Sequence, residues 1–234
     1  MNLRAHSTRA VSGWKRFFVF WLLILFLFSP GGLGASWNFT AINARAQTLY
    51  GPATPAAQKR IDQWAELINT LPEETTQDKL RRVNQFFNQK MIFRDDRLVW
   101  KTVDYWATPL QFLRKGEGDC EDYALAKYFT LRELGVPASQ LRITYVKALK
   151  LNQAHMVVTW YSTPEAIPLV LDNLNTAILP ATQRRDLLPV YAFNGEGLWL
   201  PQAGGNKRVG DSKRLSRWQD LLTRMRAEGF VVQE

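Results

Sequence analysis

Gly116-Glu117-Gly118-Asp119-Cys120-Glu121-Asp122-Tyr123-Ala124 is the densest stretch of this chain, and the rest is read outward from it. Two glycines and an aspartate, a residue type suited to capping, lead into a helix of about fifteen residues that stops at Gly135, with Pro137 just beyond. Tyr123, Ala124, Leu125, Ala126, Tyr128, Phe129, Leu131 and Leu134 occupy most of its circumference, and past the first turn only Lys127, Arg132 and Glu133 are charged. A helix apolar on nearly every side belongs at the centre of a fold. Cys120 therefore opens a buried helix, with Asp119 as its cap.

Upstream of that helix the pattern is helical. Ile61, Trp64, Leu67, Ile68 and Leu71 recur at helical spacing from Pro55 until Pro72 interrupts them. A second amphipathic helix carries Leu80, Val83, Phe86 and Phe87. Residues 91–107 read as extended or irregular, and Thr108-Pro109 caps a short helix through Phe112 and Leu113. Residues 36–54 read as a mixed lead-in broken by Gly51-Pro52.

Downstream the period changes to alternation. Leu141 to Val146, His155 to Tyr161, Leu169 to Asp172, Val190 to Phe193 and Leu198 to Leu200 are strand candidates, and Trp218, Leu221, Leu222 and Met225 mark a last helix. Helices first and a meander of strands after them imply an α+β fold, helices packed on an antiparallel sheet. The expected organisation is a segment 1–35 followed by one domain, 36–234.

The first 35 residues differ in kind from the rest. Arg4, Arg9, Lys15 and Arg16 give a basic start without an acid, and Phe17 to Phe28 is unbroken apolar sequence before Ser29-Pro30-Gly31-Gly32. That run is short for a membrane-spanning helix and suits the core of a secretory signal; a retained inner-membrane anchor is the alternative. Export to the periplasm is the expectation. Leaving those residues out reduces the formal charge of +9 to +5. The remaining basic residues are scattered, and Lys207, Arg208, Lys213, Arg214 and Arg217 read as a solvated surface, so no nucleic-acid partner is expected.

Beyond residue 35 the chain holds one cysteine, Cys120, and one histidine, His155. An unpaired cysteine sent to an oxidising compartment asks for a reason. A helix N-terminus lowers a thiol's pKa, and its free N–H groups can hold the negative oxygen of a carbonyl under attack. His155 is the available base. If the strands from His155 and up to Asp172 form a hairpin with Thr159 opposite Pro168, Val157 faces Val170 and His155 faces Asp172. Directly opposed residues have Cβ atoms about 4.5–5.5 Å apart. Cys120, activated by His155 and oriented by Asp172, is then a coherent triad. Blander readings exist for each: an inert buried thiol, a structural histidine, an aspartate that begins a turn.

Asp119, Glu121 and Asp122 should raise the pKa of a neighbouring thiol. A bound cation would cancel that effect, and calcium is the ion that carboxylates and backbone carbonyls suit; one His and one Cys are too few for zinc. Acids are also favourable in a first helical turn without any metal, and both explanations stand.

TPLQFLRKGEGDCEDYALAKYFTLRELGVP, AHMVVTW and VLDN together resemble the bacterial transglutaminase-like cysteine proteinases over about residues 50 to 200. The resemblance implies a papain/transglutaminase-like fold with its nucleophile at the N-terminus of a central helix, and a triad on Cys120, His155 and Asp172. It also implies a requirement for Ca2+ held by Asp119, Glu121 and Asp122. The expected substrate is a large surface adhesin, clipped in its N-terminal region to release cells from biofilm. The expected inhibitory partner is an inner-membrane cyclic di-GMP receptor. A thioester could instead pass to an amine, making the chain a protein-glutamine acyltransferase, or the fold could serve as a non-catalytic envelope binding module.

Overall fold

The computed structural model describes residues 37–202 and 205–232, so the segment expected to be a signal or anchor lies outside the described residues. The helical half comprises α1 (Phe39–Tyr50), α2 (Pro55–Thr70) and α3 (Thr76–Lys90), then a two-residue strand β1 (Ile92–Phe93) and the single turn α4 (Asp96–Val99). It continues through α5 (Pro109–Lys115), β2 (Glu117–Gly118) and the central helix α6 (Cys120–Glu133). The strands follow: β3 (Leu141–Ala148), β4 (Gln153–Trp160), β5 (Leu169–Leu171), β6 (Leu179–Pro180), β7 (Leu187–Asn194), β8 (Gly197–Gln202) and β9 (Gly205–Gly210), before α7 (Ser216–Glu228) closes the chain.

The helix starts follow local chemistry. Thr54, Thr75 and Thr108 each accept a hydrogen bond from a first-turn N–H, and Thr108 and Gln111 form a reciprocal capping box with Pro109 at the first helical position. Gly116 ends α5 at φ 79°, a left-handed conformation that a side chain resists, and the Arg60 guanidinium fills the space where a Cβ would stand. β1 and β2 pair in parallel and hold the start of α6 beside α4.

β3 to β9 form one antiparallel sheet in the order β6-β5-β4-β3-β7-β8-β9. The α+β expectation holds. β7 begins before the expected Val190 because a bulge opposite Tyr145 and Val146 lets Pro189, which has no N–H to donate, enter the ladder. β5 stops one residue before Asp172, where Leu174 N–H donates to Asp172 Oδ1 and turns the chain. The turn reading and the orienting role expected of Asp172 are therefore compatible.

α6 packs against α3 and α5 on one side and against β3 and β4 on the other. Trp64 of α2 is fully buried, edge-on to Phe39 and tilted against Trp37, and its indole N–H donates to Thr130 Oγ1 of α6 at 2.9 Å. Beyond α6, Trp218 of α7 stacks on Phe129 and meets Phe193 of β7 edge-on. One aromatic seam thus runs through the core from α1 to the sheet. α1 was not expected: only Ile42 and Ala46 of its twelve residues are buried, too few apolar positions to show a period. β9 likewise carries no apolar alternation and exists as the return strand of β8. Lys207, Arg208, Lys213, Arg214 and Arg217 are exposed, as expected of a solvated surface.

The Trp64–Thr130 bond generates a stability prediction. Thr130→Val keeps the shape but strands a buried indole N–H, which costs about 1–3 kcal/mol. Urea unfolding should show a lower midpoint with an unchanged slope, and an unchanged midpoint would contradict the assignment.

Candidate active site and carboxylate cluster

Cys120 is the first residue of α6 and half-buried against the core. Its thiol donates to Glu121 Oε2 at 3.1 Å. Burial pushes the thiol's pKa well up, and the charges of Glu121 and Asp119 push the same way. The backbone N–H of Met156, directed at the sulfur, opposes that shift. Met156 follows His155 on β4, so the start of α6 meets this strand at the histidine.

His155 and Asp172 are both buried, with Nε2 of the ring 2.7 Å from Asp172 Oδ1. The expected register is corrected: the pairs are Val158↔Leu171 and Thr159↔Val170, two residues displaced from Thr159 opposite Pro168. His155 and Asp172 are therefore not direct ladder partners. They still meet because an even slip preserves side-chain parity, and diagonal neighbours lie within reach of side chains of this length. Val157 and Val170 remain in one small cluster, joined by Val146.

Asp172 is held from several directions. Arg184 Nη2 donates to Oδ2 at 2.6 Å, the N–H of Leu174 to Oδ1 at 3.0 Å, and Asn88 Nδ2 to the backbone carbonyl at 2.8 Å. Burial by itself would raise the carboxyl's pKa. The His155 hydrogen bond and charge, the Leu174 N–H and Arg184 outweigh it and hold the group at about 2. Arg184 is fixed in turn by Asp186 at 2.8 Å. An ionised carboxylate can only accept, so Nε2 carries the ring proton and Nδ1 is the basic nitrogen.

Lys127 lies two turns along α6 from Cys120, fully buried, with no hydrogen-bond partner for its ammonium. Burial lowers its pKa to about 7, and the Asp172 charge resists the shift.

The acids beside Cys120 are joined by others from the preceding segment: Asp119 and Asp122 meet Asp96, whereas Glu121 meets Asp96 and Asp104. Oxygens of Asp96, Asp119 and Asp122 lie within 4.8 Å of one another, as do those of Asp96, Asp104 and Glu121. Asp119 occupies the cap position of α6 yet makes no capping hydrogen bond with its side chain, which corrects the expectation of an aspartate cap. Asp119 Oδ1, Asp96 Oδ1 and Asp122 Oδ2 are all buried without a hydrogen-bond partner. Tyr105 N–H is taken by the other oxygen of Asp96, and Ala107 N–H by Asp122 Oδ1 at 2.8 Å. Burial, then the charges of Glu121, Asp122 and Asp96, drives Asp119 up to about 10. Burial drives Asp122 well above the usual carboxylate range, and Asp96 to about 6.

Three buried acceptors without donors, converging from two segments, are costly unless a proton or a cation joins them. An all-oxygen set of this kind fits a hard divalent ion. Gly118 is required beside it, because a Cβ there would stand 2.2 Å from Asp122 Oδ2 and press on the Phe112 ring. Asp96 and Arg184 are the residues sequence reading missed. Each sits in a short charged run, Arg94-Asp95-Asp96-Arg97 and Arg184-Arg185-Asp186, indistinguishable from a solvated surface.

The profile of the bacterial transglutaminase-like cysteine proteinases matches residues 57–186. Among solved structures, LapG from Legionella pneumophila is 45% identical, with 81% of this chain and 98% of that one covered at a TM-score of 0.70. Its calcium-bound form is 44% identical, with 81% and 99% covered and a TM-score of 0.69. Its EGTA-treated form is 45% identical, with 81% and 98% covered and a TM-score of 0.71. No curated protein matches. The family profile spans more than half of the chain and these structures are aligned over nearly their whole length: the chain belongs to the bacterial transglutaminase-like cysteine proteinases.

Proposed function

We propose that this chain is a calcium-dependent cysteine endopeptidase in which Cys120 is the nucleophile, His155 the base and Asp172 the residue that orients the base. The observation that carries this reading is the buried His155–Asp172 pair, whose histidine sits on the strand where the next N–H faces the Cys120 sulfur.

Nδ1 of His155 takes the thiol proton as the sulfur adds to the scissile carbonyl. The first-turn N–H groups of α6 lack intrahelical acceptors and are free to hold the oxyanion. Collapse returns the proton from His155 to the leaving amine and leaves a thioester on Cys120. Water, deprotonated by the same imidazole, then attacks the thioester, releases the acid and restores the thiol. Asp172 stays ionised throughout and keeps the ring in the tautomer the first step needs.

Asp96, Asp119, Asp122 and Glu121 are the residues that would hold calcium. The ion supplies positive charge that offsets the carboxylates now raising the pKa of Cys120. The family resemblance and a neighbour solved in calcium-bound and EGTA-treated forms support this assignment. The same resemblance, with the basic-then-apolar start of the chain, supports a periplasmic enzyme that clips the N-terminal region of a large surface adhesin and so releases cells from biofilm. An inner-membrane receptor for cyclic di-GMP would sequester it.

Incubation with the N-terminal region of such an adhesin tests the whole reading. Cleavage should occur with calcium, stop on chelation without rescue by zinc, and be absent in Cys120→Ala. Clipped ends in the mass spectrum support hydrolysis, whereas crosslinked glutamines would mean acyl transfer. Asp96→Asn should weaken calcium binding about tenfold or more by calorimetry, since it removes a charged ligand from a buried set; unchanged affinity would take Asp96 out of the site. Asp172→Asn should lower turnover by about three to four orders of magnitude. The same variant has a pH signature. The native carboxyl titrates at about 2 against an ordinary 3.8, so its stabilising contribution is complete above the ordinary value and is lost as pH falls through the native one. The stability gap between wild type and Asp172→Asn should therefore close between about pH 4 and about pH 2.

A further inference from the structure

On the sheet face that carries Val146, Val157 and Val170 lies a groove of about 750 Å³, lined by strand and loop residues. Arg142 of β3 forms part of its wall. The guanidinium is clamped between the rings of Tyr161 and Trp199, 4.4 and 4.5 Å from their centroids. The residue is only 7% exposed, yet its Nε and Nη1 are buried without a hydrogen-bond partner. Arg184 lines the same groove, 3% exposed, and its Nη1 is also buried and unpartnered. Arg208, exposed at the rim, donates to the carbonyl of Glu196. Among the described residues the ion pairs of Arg184 are with Asp172 and Asp186, and neither Arg142 nor Arg208 pairs with a carboxylate. Among the described residues the one acid lining the groove is Glu165, on an exposed loop.

Aromatic rings on both faces compensate a buried guanidinium only in part, because its N–H groups point in the plane and still need acceptors. A carboxylate is a planar acceptor whose two oxygens suit the in-plane N–H groups of a guanidinium. The valines beside it offer an apolar floor. We propose that the groove is a docking site for an acidic peptide segment of a partner polypeptide, with a carboxylate on Arg142 and neighbouring apolar side chains on the valines. The chain's own residues 1–35 do not suit it, since they hold four basic side chains and no acid. The inference does not depend on the proteolytic reading, because binding is measured directly.

Calorimetry of the full chain with a blocked peptide alternating glutamate and valine tests it, beside the glutamine–valine counterpart, acetate and inorganic phosphate. The acidic peptide should bind, lose affinity as salt rises, and exceed its glutamine counterpart by about tenfold or more. Arg142→Gln and Arg142→Lys should both weaken it about tenfold, since lysine keeps the charge but not the planar fork. Should circular dichroism show that either buried variant is unfolded, Arg208→Gln at the exposed rim decides, with an expected loss of a few-fold. Equal binding of the glutamine peptide, full affinity in a folded Arg142→Gln, or no peptide binding would each overturn the proposal. Acetate or phosphate binding as tightly as the peptide would replace it with a small-anion site.

Discussion

The start of α6 is the constraint on which the rest of the structure depends. A helix buried along its length has to bring its polar first turn inside the protein as well. Here that turn carries three carboxylates and a thiol. Desolvating them together is unfavourable, and the fold answers with specific groups: Tyr105 and Ala107 donate backbone N–H bonds, and Gly118 yields the space a Cβ would take. What those groups leave unpaired are oxygens of Asp96, Asp119 and Asp122, all facing one another. The same concentration of negative charge that raises the thiol's pKa makes a divalent cation the natural complement. A raised thiol pKa and a set of carboxylates that fits a divalent cation both follow from burying this turn.

A second chain of contacts runs from the sheet. Arg184, itself held by Asp186, ion-pairs with Asp172, which together with the His155 and Leu174 hydrogen bonds keeps the carboxylate ionised, and the ionised Asp172 fixes the tautomer of His155. The His155–Asp172 and Arg184–Asp172 links are buried, so each is stronger than it would be in water, and the loss of either leaves its neighbour uncompensated. Arg184 also reaches the groove on the sheet face where Arg142 stands. The residue that steadies the histidine's partner thus borders the proposed docking surface.

Much of this was legible in the residues themselves. The apolar circumference of α6, the periods of α2 and α3, the Thr108-Pro109 start of α5 and the alternating strands are local signals, and they lead directly to an α+β fold. Elements without a local signal escaped. α1 buries two residues, and β9 is a strand because β8 is there to pair with it. The hairpin register differs by two residues from the expected one because alternation fixes which face a side chain takes but leaves an even slip open, and packing decides between such registers.

Residue identity and spacing by themselves determined that a lone thiol opens a buried helix, that the one imidazole beyond residue 35 lies on a later strand, and that acids crowd the thiol. Those are properties of chain-adjacent atoms and of composition. Only the tertiary structure decided that Asp96 joins the carboxylates, that Arg184 rather than another of the scattered basic residues holds Asp172, and that Arg142 lies stranded between two rings. Contacts between segments far apart in the chain leave no period and no motif, because they arise when packing brings charges together in a space from which water has been removed.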